Sequence, residues 1–270
     1  MWYVIGVLLV LAVLYLAAIC PRLRRPDMSA LHGVYYAHRG LYDNKTDAPE
    51  NSMAAFKKAV ENGYGIEFDV QLTKDRVPVV FHDETLLRVC GADRKVRDCT
   101  WDELQQYRLC GSEATIPLLS DVLALVNGKV PLIIEIKGHE KASEVCGHSD
   151  PLIAAYNGPY CVESFDPRIV MWYRKNRPEV IRGQLSSCFS KPDKRESLVQ
   201  TIVHYLLLNF MAKPDFIAYN HKNKHNLSRV LACRLFGALS VTWTIQSQQE
   251  LDAARDAFEL FIFEGFRPEP

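Results

Sequence analysis

The sequence predicts an α/β protein, a TIM (β/α)8 barrel preceded by one N-terminal transmembrane helix. Its 270 residues suit a single barrel domain, and a composition of 48% hydrophobic and 24% charged residues is ordinary for a globular protein with a sizeable core. Short apolar runs alternate with longer helical patterns along most of the chain. The 32 basic and 32 acidic side chains balance, so no charge bias favours nucleic acid as a partner.

The first predicted element is an uncharged run from Trp2 to Ile19, which is long enough to cross a bilayer as one helix. A buried core helix is disfavoured because this run is apolar on all sides. A signal peptide would carry basic residues before the apolar run, and none precede it here. A small-residue cleavage site at Ala17-Ala18 nevertheless keeps the signal-peptide alternative open.

Three arginines after this run set the expected orientation. Arg22, Arg24 and Arg25 lie on its C-terminal side, and the positive-inside rule then puts the rest of a single-pass membrane protein in the cytoplasm. Eight cysteines without a C-x-x-C pair argue against a zinc site and suit free thiols in a reducing compartment. We expect a transmembrane anchor at residues 1–20, a linker at 21–30 and one barrel domain at 31–270.

Eight strand candidates follow the linker. Several are continuous apolar runs, which are typical of strands buried on both faces. The second and third candidates are joined by only a short turn around Thr73-Lys74-Asp75, whereas the others have room for helices. The candidates are Val34–His38, Gly65–Val70, Val79–His82, Leu132–Ile136, Tyr160–Ser164, Ile181–Leu185, Phe216–Tyr219 and Ser240–Ile245.

Helical patterns lie between these strands. Asn51 or Ser52 is expected to cap a helix that ends at Asn62-Gly63. Leu118–Val126 and Arg168–Lys175 are predicted to form two more helices. This alternation of strands and helices predicts the barrel.

Two segments do not fit the alternation. Residues 84–116 form a long polar excursion between the third and fourth strand candidates. Residues 198–211 are unusually apolar for a surface helix. Packing against the barrel and contact with the bilayer are both open for this second segment.

Three acidic residues lie at the ends of strand candidates. Glu67 and Asp69 are two apart on one strand, so both side chains point to the same face, and Glu135 closes the next long apolar run. The C-terminal ends of barrel strands form the active-site mouth, where three converging carboxylates repel one another and need a cation. An all-oxygen set favours Mg²⁺, Ca²⁺ or Mn²⁺ over zinc. Salt bridges to Arg39 and Lys137 are the alternative without a metal.

Two histidines are expected at the same rim. His38 ends the first strand candidate and His82 ends the third. A lone strand-end histidine is more often structural, but two beside an acidic strand indicate proton transfer, with one accepting and one donating. Arg39 offers a planar charged fork suited to a phosphate, and Lys137 adds a second positive charge. Together these residues indicate metal-assisted attack on a phosphate ester.

Several ordered motifs resemble the signature of the glycerophosphodiester phosphodiesterase family. They are AHRG, APENSMAAFKKAVENGYGIEFDVQLTKD and PVVFHD, followed by IEIK, ESFD and VTWT, and they extend over nearly everything from Val34 onward. Two positions depart from the family pattern. Arg76 stands where a glycine usually follows Thr-Lys-Asp, and the C-terminal residues from Phe261 onward match the closing motif only loosely.

The resemblance implies a TIM barrel that hydrolyses small-molecule glycerophosphodiesters to glycerol 3-phosphate and an alcohol, with a divalent cation as cofactor. It leaves open whether water or a hydroxyl of the substrate attacks the phosphate. It implies that His38 and His82 are the acid–base pair. Further implied roles are metal ligation by Glu67, Asp69 and Glu135, substrate binding by Arg39, Lys137 and Trp243, and support by Glu50.

Two other functions stay open. A phospholipase-type phosphodiesterase that acts on intact lipids at the membrane would make use of the anchor. A catalytically idle, membrane-tethered barrel that binds a partner is the third candidate, but such a protein has no need of two histidines and three acids in this arrangement.

Overall fold

The computed structural model describes residues 1–139, 141–190 and 197–269, and its core is a closed barrel. Nine strands belong to one sheet. Eight of them are parallel, and the first pairs with both the second and the last, so the barrel closes on itself. The strands are β1 (Tyr36–His38), β2 (Gly65–Leu72), β3 (Pro78–Val80), β4 (Leu132–Ile136), β5 (Tyr160–Ser164), β6 (Arg182–Ser186), β7 (Phe216–Asn220), β8 (Leu239–Ile245) and β9 (Leu260–Phe263).

The predicted barrel is confirmed, but one strand that was predicted to belong to it does not, and one barrel strand was not predicted. The run predicted as Val79–His82 forms β3, which pairs antiparallel with the end of β2 and is not a barrel strand. The short turn at Thr73-Lys74-Asp75 explains this, because a parallel neighbour needs a long crossover connection. The eighth barrel strand is β9 instead, which pairs parallel with β8 and β1.

The helices surround the barrel, and the three that the sequence predicted are present to within about one residue at either end. Ser52 accepts a hydrogen bond from the backbone N–H of Ala55 and so caps the first of them. The α-helices are α1 (Trp2–Ile19), α2 (Met53–Glu61), α3 (Leu87–Cys90), α4 (Trp101–Leu104), α5 (Leu119–Val126), α6 (Ala142–Ala154), α7 (Pro167–Asn176), α8 (Leu198–His204), α9 (Asn209–Ala212), α10 (Leu227–Val230) and α11 (Gln248–Ala254).

The excursion at residues 84–116 folds as an insert with α3 and α4. Its apolar side chains make a small core of their own with β3, separate from the barrel core. Positive φ at Arg76 turns the chain between β2 and β3 without glycine. The insert therefore packs on the outside of the closed barrel and leaves the barrel strands continuous.

The apolar segment at residues 198–211 is not one helix. It forms α8 and α9, and the chain turns between them at Leu206, whose φ is 56°. Leu206 itself is buried, whereas Leu198 is 77% exposed and Val199 is 70% exposed. Only part of this segment packs on the barrel.

We call the end of the barrel at which the parallel strands finish the mouth end, and the opposite end the closed end. Leu31 packs with the inner side chains at the start of the strands, and the hydroxyl of Tyr36 donates to its carbonyl at 2.6 Å. Within the described residues, α1 is the one helix long and apolar enough to cross a membrane. Its last turn packs on the barrel and buries Ile19 completely.

The barrel interior leaves no room for a side chain at Gly183 in β6. A Cβ at this position would lie 2.0–2.5 Å from the ring of the fully buried Phe216. We expect Gly183→Ala to reduce the free energy of unfolding by about 1–3 kcal/mol, because a packed core resists added atoms.

Gly147 is the matched control for this substitution. It lies within α6, and a Cβ there meets nothing within 4 Å. Gly147→Ala should raise the free energy of unfolding by about 0.4–1 kcal/mol, since alanine restricts the unfolded chain and favours helix. Denaturant unfolding of the detergent-solubilised chain measures both. A Gly183→Ala variant as stable as wild type would contradict the close packing.

Candidate active site

Strand register places the acidic residues of the barrel side by side. Asp69 on β2 pairs with Glu135 on β4, which in turn pairs with Glu163 on β5. His38 on β1 is opposite Glu67 on β2. Since these strands are parallel and in register, the side chains converge on the mouth end of the barrel.

Three of these carboxylates form a cluster. One oxygen from each of Glu67, Asp69 and Glu135 lies within 4.8 Å of the others, and all three residues are buried. The Lys137 ammonium lies 2.7 Å from Asp69 Oδ1 and 2.8 Å from Glu135 Oε1. The salt bridge to Lys137 that was the alternative to a metal is therefore present, and it involves two of the three acids, Asp69 and Glu135.

Arg39 is the second cation beside the cluster. Its Nε lies 3.7 Å from Asp69 Oδ2, while its Nη1 donates to Glu50 at 2.7 Å. The Asn51 side-chain amide also donates to Asp69 Oδ2, at 2.9 Å. Burial alone would raise the pKa of Asp69, but Lys137 and the neighbouring basic groups bring it well below its usual range.

Burial and the neighbouring acids disfavour the charged forms of the other two carboxylates, Glu67 and Glu163. Burial, Asp69, Glu135 and Glu163 together raise the pKa of Glu67 well above its usual value. The pKa of Glu163 is raised in the same way, and its Oε2 accepts no hydrogen bond from the described residues. Crowded, buried carboxylates of this kind are suited to binding a divalent cation through their oxygens, because the cation favours their ionised forms.

His38 is oriented by a carboxylate at the end of β9. Its Nδ1 lies 2.5 Å from Glu264 Oε2, and Glu264 also accepts from the hydroxyl of Tyr42 at 3.0 Å and the amide of Gln246 at 2.8 Å. Although burial opposes ionisation, these hydrogen bonds lower the pKa of Glu264 to about 2. Because Glu264 is then ionised, the proton lies on Nδ1 of His38, and Nε2 is free to accept one.

Burial lowers the pKa of His38, and the nearby Arg39 lowers it further, while Glu264 opposes both effects. His38 Nε2 lies 3.8 Å from Glu67 Oε2, so the ring is next to the acidic cluster. The neutral form of His38 is favoured near neutral pH. This is the protonation state that a general base requires.

His82 has a separate orienting carboxylate. Its Nδ1 lies 2.5 Å from Asp83 Oδ1, and Asp83 Oδ2 accepts from Nε of Arg88 at 2.6 Å. The hydrogen bonds from His82 and Arg88 outweigh burial and lower the pKa of Asp83. Arg88 also binds both oxygens of Glu50, at 2.6 and 2.8 Å. His82 therefore has the same arrangement as His38, with Nδ1 fixed and Nε2 available.

Glu50 contacts the two arginines of the site and not the histidines. Besides Arg39 and Arg88, it accepts from the amide of Asn44 at 2.9 Å. Its pKa falls to about 2 because these partners outweigh burial. Support of His38 or of the metal site by Glu50 stays a prediction; the contacts of Glu50 are to Arg39 directly and to Arg88, which in turn binds Asp83 beside His82.

Glu67 and Glu135 of the cluster and both histidines line one cavity of about 400 Å³. One wall is aromatic: Trp243 packs edge-to-face against Phe165 with ring centroids 5.4 Å apart. Its Nε1 finds no hydrogen-bond partner among the described residues, so it is available to a bound molecule. The lining residues named in the sequence analysis are His38, Arg39, Glu50, Glu67, His82, Glu135 and Trp243. Lys137 lines an adjoining cavity of about 580 Å³, which also contacts His82 and Glu135.

Sequence reasoning did not assign Glu163, Glu264, Asp83 and Arg88 to the site. Glu163 lies within the ESFD motif at the end of a correctly predicted strand, so the signal was present. Glu264 directly follows β9, the strand that was not predicted. Arg88 belongs to the insert, where no periodic pattern marked it.

Comparisons with known proteins identify the family of this chain. The sequence model of the glycerophosphoryl diester phosphodiesterase family matches residues 38–258. The YhdW protein of Bacillus subtilis is 37% identical over 153 residues, which cover 53% of this chain and 62% of that protein. Human glycerophosphodiester phosphodiesterase 1 is 30% identical over 156 residues, covering 54% of this chain and 46% of the human protein. These alignments span less than two thirds of the relatives' own length.

Solved structures share the fold over a larger part of the chain. A glycerophosphodiester phosphodiesterase of Thermotoga maritima has a TM-score of 0.64 at 26% identity, with 86% of this chain and 95% of that one covered. An Oleispira antarctica phosphodiesterase in complex with sn-glycerol-3-phosphate has a TM-score of 0.70 at 22% identity, with 87% and 94% covered. Both support the barrel assignment.

Proposed function

Because the chain belongs to the glycerophosphoryl diester phosphodiesterase family, we propose that it hydrolyses glycerophosphodiesters to glycerol 3-phosphate and an alcohol. The observation that carries this proposal is the pair of histidines beside one acidic cluster, each with Nδ1 bound to an ionised carboxylate. Two imidazoles with free Nε2 atoms supply both proton transfers that cleavage of a phosphodiester requires. The neighbouring relatives carry the same activity in their names.

The histidines have distinct environments that support distinct roles. His38 is buried and its pKa is lowered, which favours the neutral base that deprotonates the attacking hydroxyl. His82 is more exposed, and Asp83 holds its Nδ1, which leaves Nε2 for the proton transfer to the leaving alkoxide. Glu264 and Asp83 are positioning residues, because they act through the imidazoles.

A divalent cation at Glu67, Asp69 and Glu135 is part of the proposal, and Glu163 is a further oxygen donor close to them. Mg²⁺, Ca²⁺ and Mn²⁺ all accept such ligands. When bound, the cation supplies Lewis-acid polarisation of the phosphate and a template for its oxygens.

The basic residues complete the phosphate site. Arg39 is held by Glu50, which fixes its guanidinium at the cavity wall. Lys137 binds Asp69 and Glu135, and an ammonium has three donors, so one proton remains for a phosphate oxygen. The free Nε1 of Trp243 is suited to a hydroxyl of the substrate.

We expect release of glycerol 3-phosphate from glycerophosphocholine, glycerophosphoethanolamine or a related diester to stop in excess chelator. Adding back Mg²⁺, Ca²⁺ or Mn²⁺ should restore it, because the carboxylates of the cluster then regain their cation. Diacyl phosphatidylcholine is the comparison substrate that separates this activity from a phospholipase. Full turnover in chelator by a metal-free protein would contradict the proposed metal requirement. A failure to hydrolyse any of these diesters would contradict the proposed function.

We expect His38→Ala and His82→Ala each to lose about 10²–10⁴ in kcat, with a double variant scarcely worse than either. Glu264→Gln should retain more activity but move the His38 limb of the pH–rate profile to lower pH. The sign follows because Glu264 raises the pKa of His38, so removal of its charge lowers that pKa. Glu61→Gln on the exposed face of α2 is the control and should leave the profile unchanged. An unshifted pH–rate profile in Glu264→Gln would argue against His38 as the general base.

The membrane assignment is a proposal with two supports. Helix α1 is long and apolar enough to span a bilayer, and its last turn is built into the fold: Asn209 donates to the carbonyl of Ile19 at 3.1 Å. This contact favours an uncleaved anchor at residues 1–20 over a signal peptide, followed by the linker at 21–30 and the barrel domain at 31–270.

We expect the barrel on the cytoplasmic side, because Arg22, Arg24 and Arg25 follow α1. The eight cysteines are free thiols, which suits a reducing compartment. The barrel should resist protease in intact cells and become sensitive after lysis, and the N-terminus should still carry Trp2. Digestion in intact cells, or an N-terminus beyond Ala18, would refute this topology.

A further inference from the structure

The last turn of α1 lies in a groove between α9 and α10. The hydroxyl of Tyr15 lies 2.7 Å from the hydroxyl of Ser228 at the start of α10. Further along, Lys213 donates to the carbonyl of Cys20 at 3.2 Å. These contacts fix α1 on the flank of the barrel over its last turn, whereas all residues up to Leu14 are exposed.

The order of these contacts gives the direction of α1 relative to the barrel. Helix α10 begins after the mouth end of β7, and the chain reaches the closed end before β8. Tyr15 contacts Ser228 in the first turn of α10, part-way along this connection, whereas Arg25 donates to the carbonyl of Phe236 near its end, at 3.1 Å. The backbone N–H of Arg22 similarly donates to Pro214, just before β7, at 3.0 Å.

From Tyr15 to Arg25 the chain therefore runs along the flank of the barrel towards the closed end. Followed in the opposite direction, α1 continues past the mouth end. The exposed residues Trp2–Leu14 project on that side, and they number thirteen in the sequence. The bilayer that α1 enters accordingly lies on the side of the barrel where the cavity opens.

The length of α1 brings the barrel close to that bilayer. Thirteen residues of helix are about 20 Å long, whereas the hydrocarbon core of a bilayer is about 30 Å thick. The whole span Trp2–Ile19 approaches this thickness, but its last turn is inside the groove on the barrel. A bilayer that covers all of α1 must therefore also cover the adjoining edge of the mouth.

That edge carries exposed apolar side chains. Leu198 and Val199 in the first turn of α8 are 77% and 70% exposed, and Leu227 at the start of α10 is 60% exposed. Helix α8 lies at the level of the strand ends, because Ser186, the last residue of β6, donates to the carbonyl of Val203 at 2.8 Å. We call Leu198, Val199 and Leu227 the apolar rim.

We infer that α1 holds the mouth of the barrel against the lipid bilayer and that the apolar rim enters the bilayer surface. This inference rests on the proposed anchor and on the proposed function of the cavity. Val199 and Val203 line the same 580 Å³ cavity as His82 and Lys137, so the rim adjoins the site. A glycerophosphodiester that carries an acyl chain would reach the site from the membrane along this apolar wall.

Photo-crosslinking tests the orientation directly. The full-length chain, with p-benzoylphenylalanine in place of Leu198 or Leu227, is reconstituted in phosphatidylcholine–phosphatidylglycerol vesicles and irradiated. Leu235 is the matched control, since it is 58% exposed but follows α10 towards the closed end. We expect lipid adducts at least about tenfold more abundant at the rim positions, because only they enter the bilayer.

Equal labelling at Leu235, or labelling there alone, would overturn the inference. Hydrogen exchange provides a second measurement without any substitution. Peptides that contain residues 197–204 should exchange about tenfold more slowly in vesicles than in detergent. The exchange rate of peptides at 235–238 should not change. Equal protection at both places would also overturn the inference. Turnover of soluble glycerophosphocholine by the same samples tests the proposed function separately, because it does not depend on lipid contact.

Discussion

Four carboxylates inside a closed barrel are the constraint on which the rest of the site depends. Glu67, Asp69, Glu135 and Glu163 are buried, and burial alone opposes their ionisation. Lys137 stabilises Asp69 and Glu135, and the barrel register keeps all four together. Among the described residues, Lys137 and Arg39 relieve only part of their repulsion, so a bound cation would stabilise the folded protein as well as serve the proposed chemistry.

The two histidines reach the same arrangement by different routes. Asp83 is the neighbour of His82 in sequence, so this pair forms locally and is then fixed by Arg88 from the insert. Glu264 is far from His38 in sequence and joins it only when β9 closes the barrel beside β1. The pairing of His82 with its carboxylate is thus independent of barrel closure, whereas that of His38 requires it.

The sequence predicted the acids and histidines because their signals are local. A spacing of two residues places Glu67 and Asp69 on one face of a strand, and both histidines follow apolar runs. The direction of β3 was not predictable from its apolar run, since periodicity does not distinguish parallel from antiparallel pairing. The partner of His38 was missed for a different reason. Glu264 follows β9, which is only four residues long and pairs with β1, a strand that is distant in sequence.

The groove that receives α1 has a consequence for biosynthesis. Helix α1 leaves the ribosome well before α9 and α10, which are made about two hundred residues later. A hydrophobic span of this kind enters the membrane while the remaining chain is still being synthesised. With α1 as the proposed anchor, the barrel would fold around an element whose position the lipid has already fixed, and the membrane would act as a template for the docking of α1.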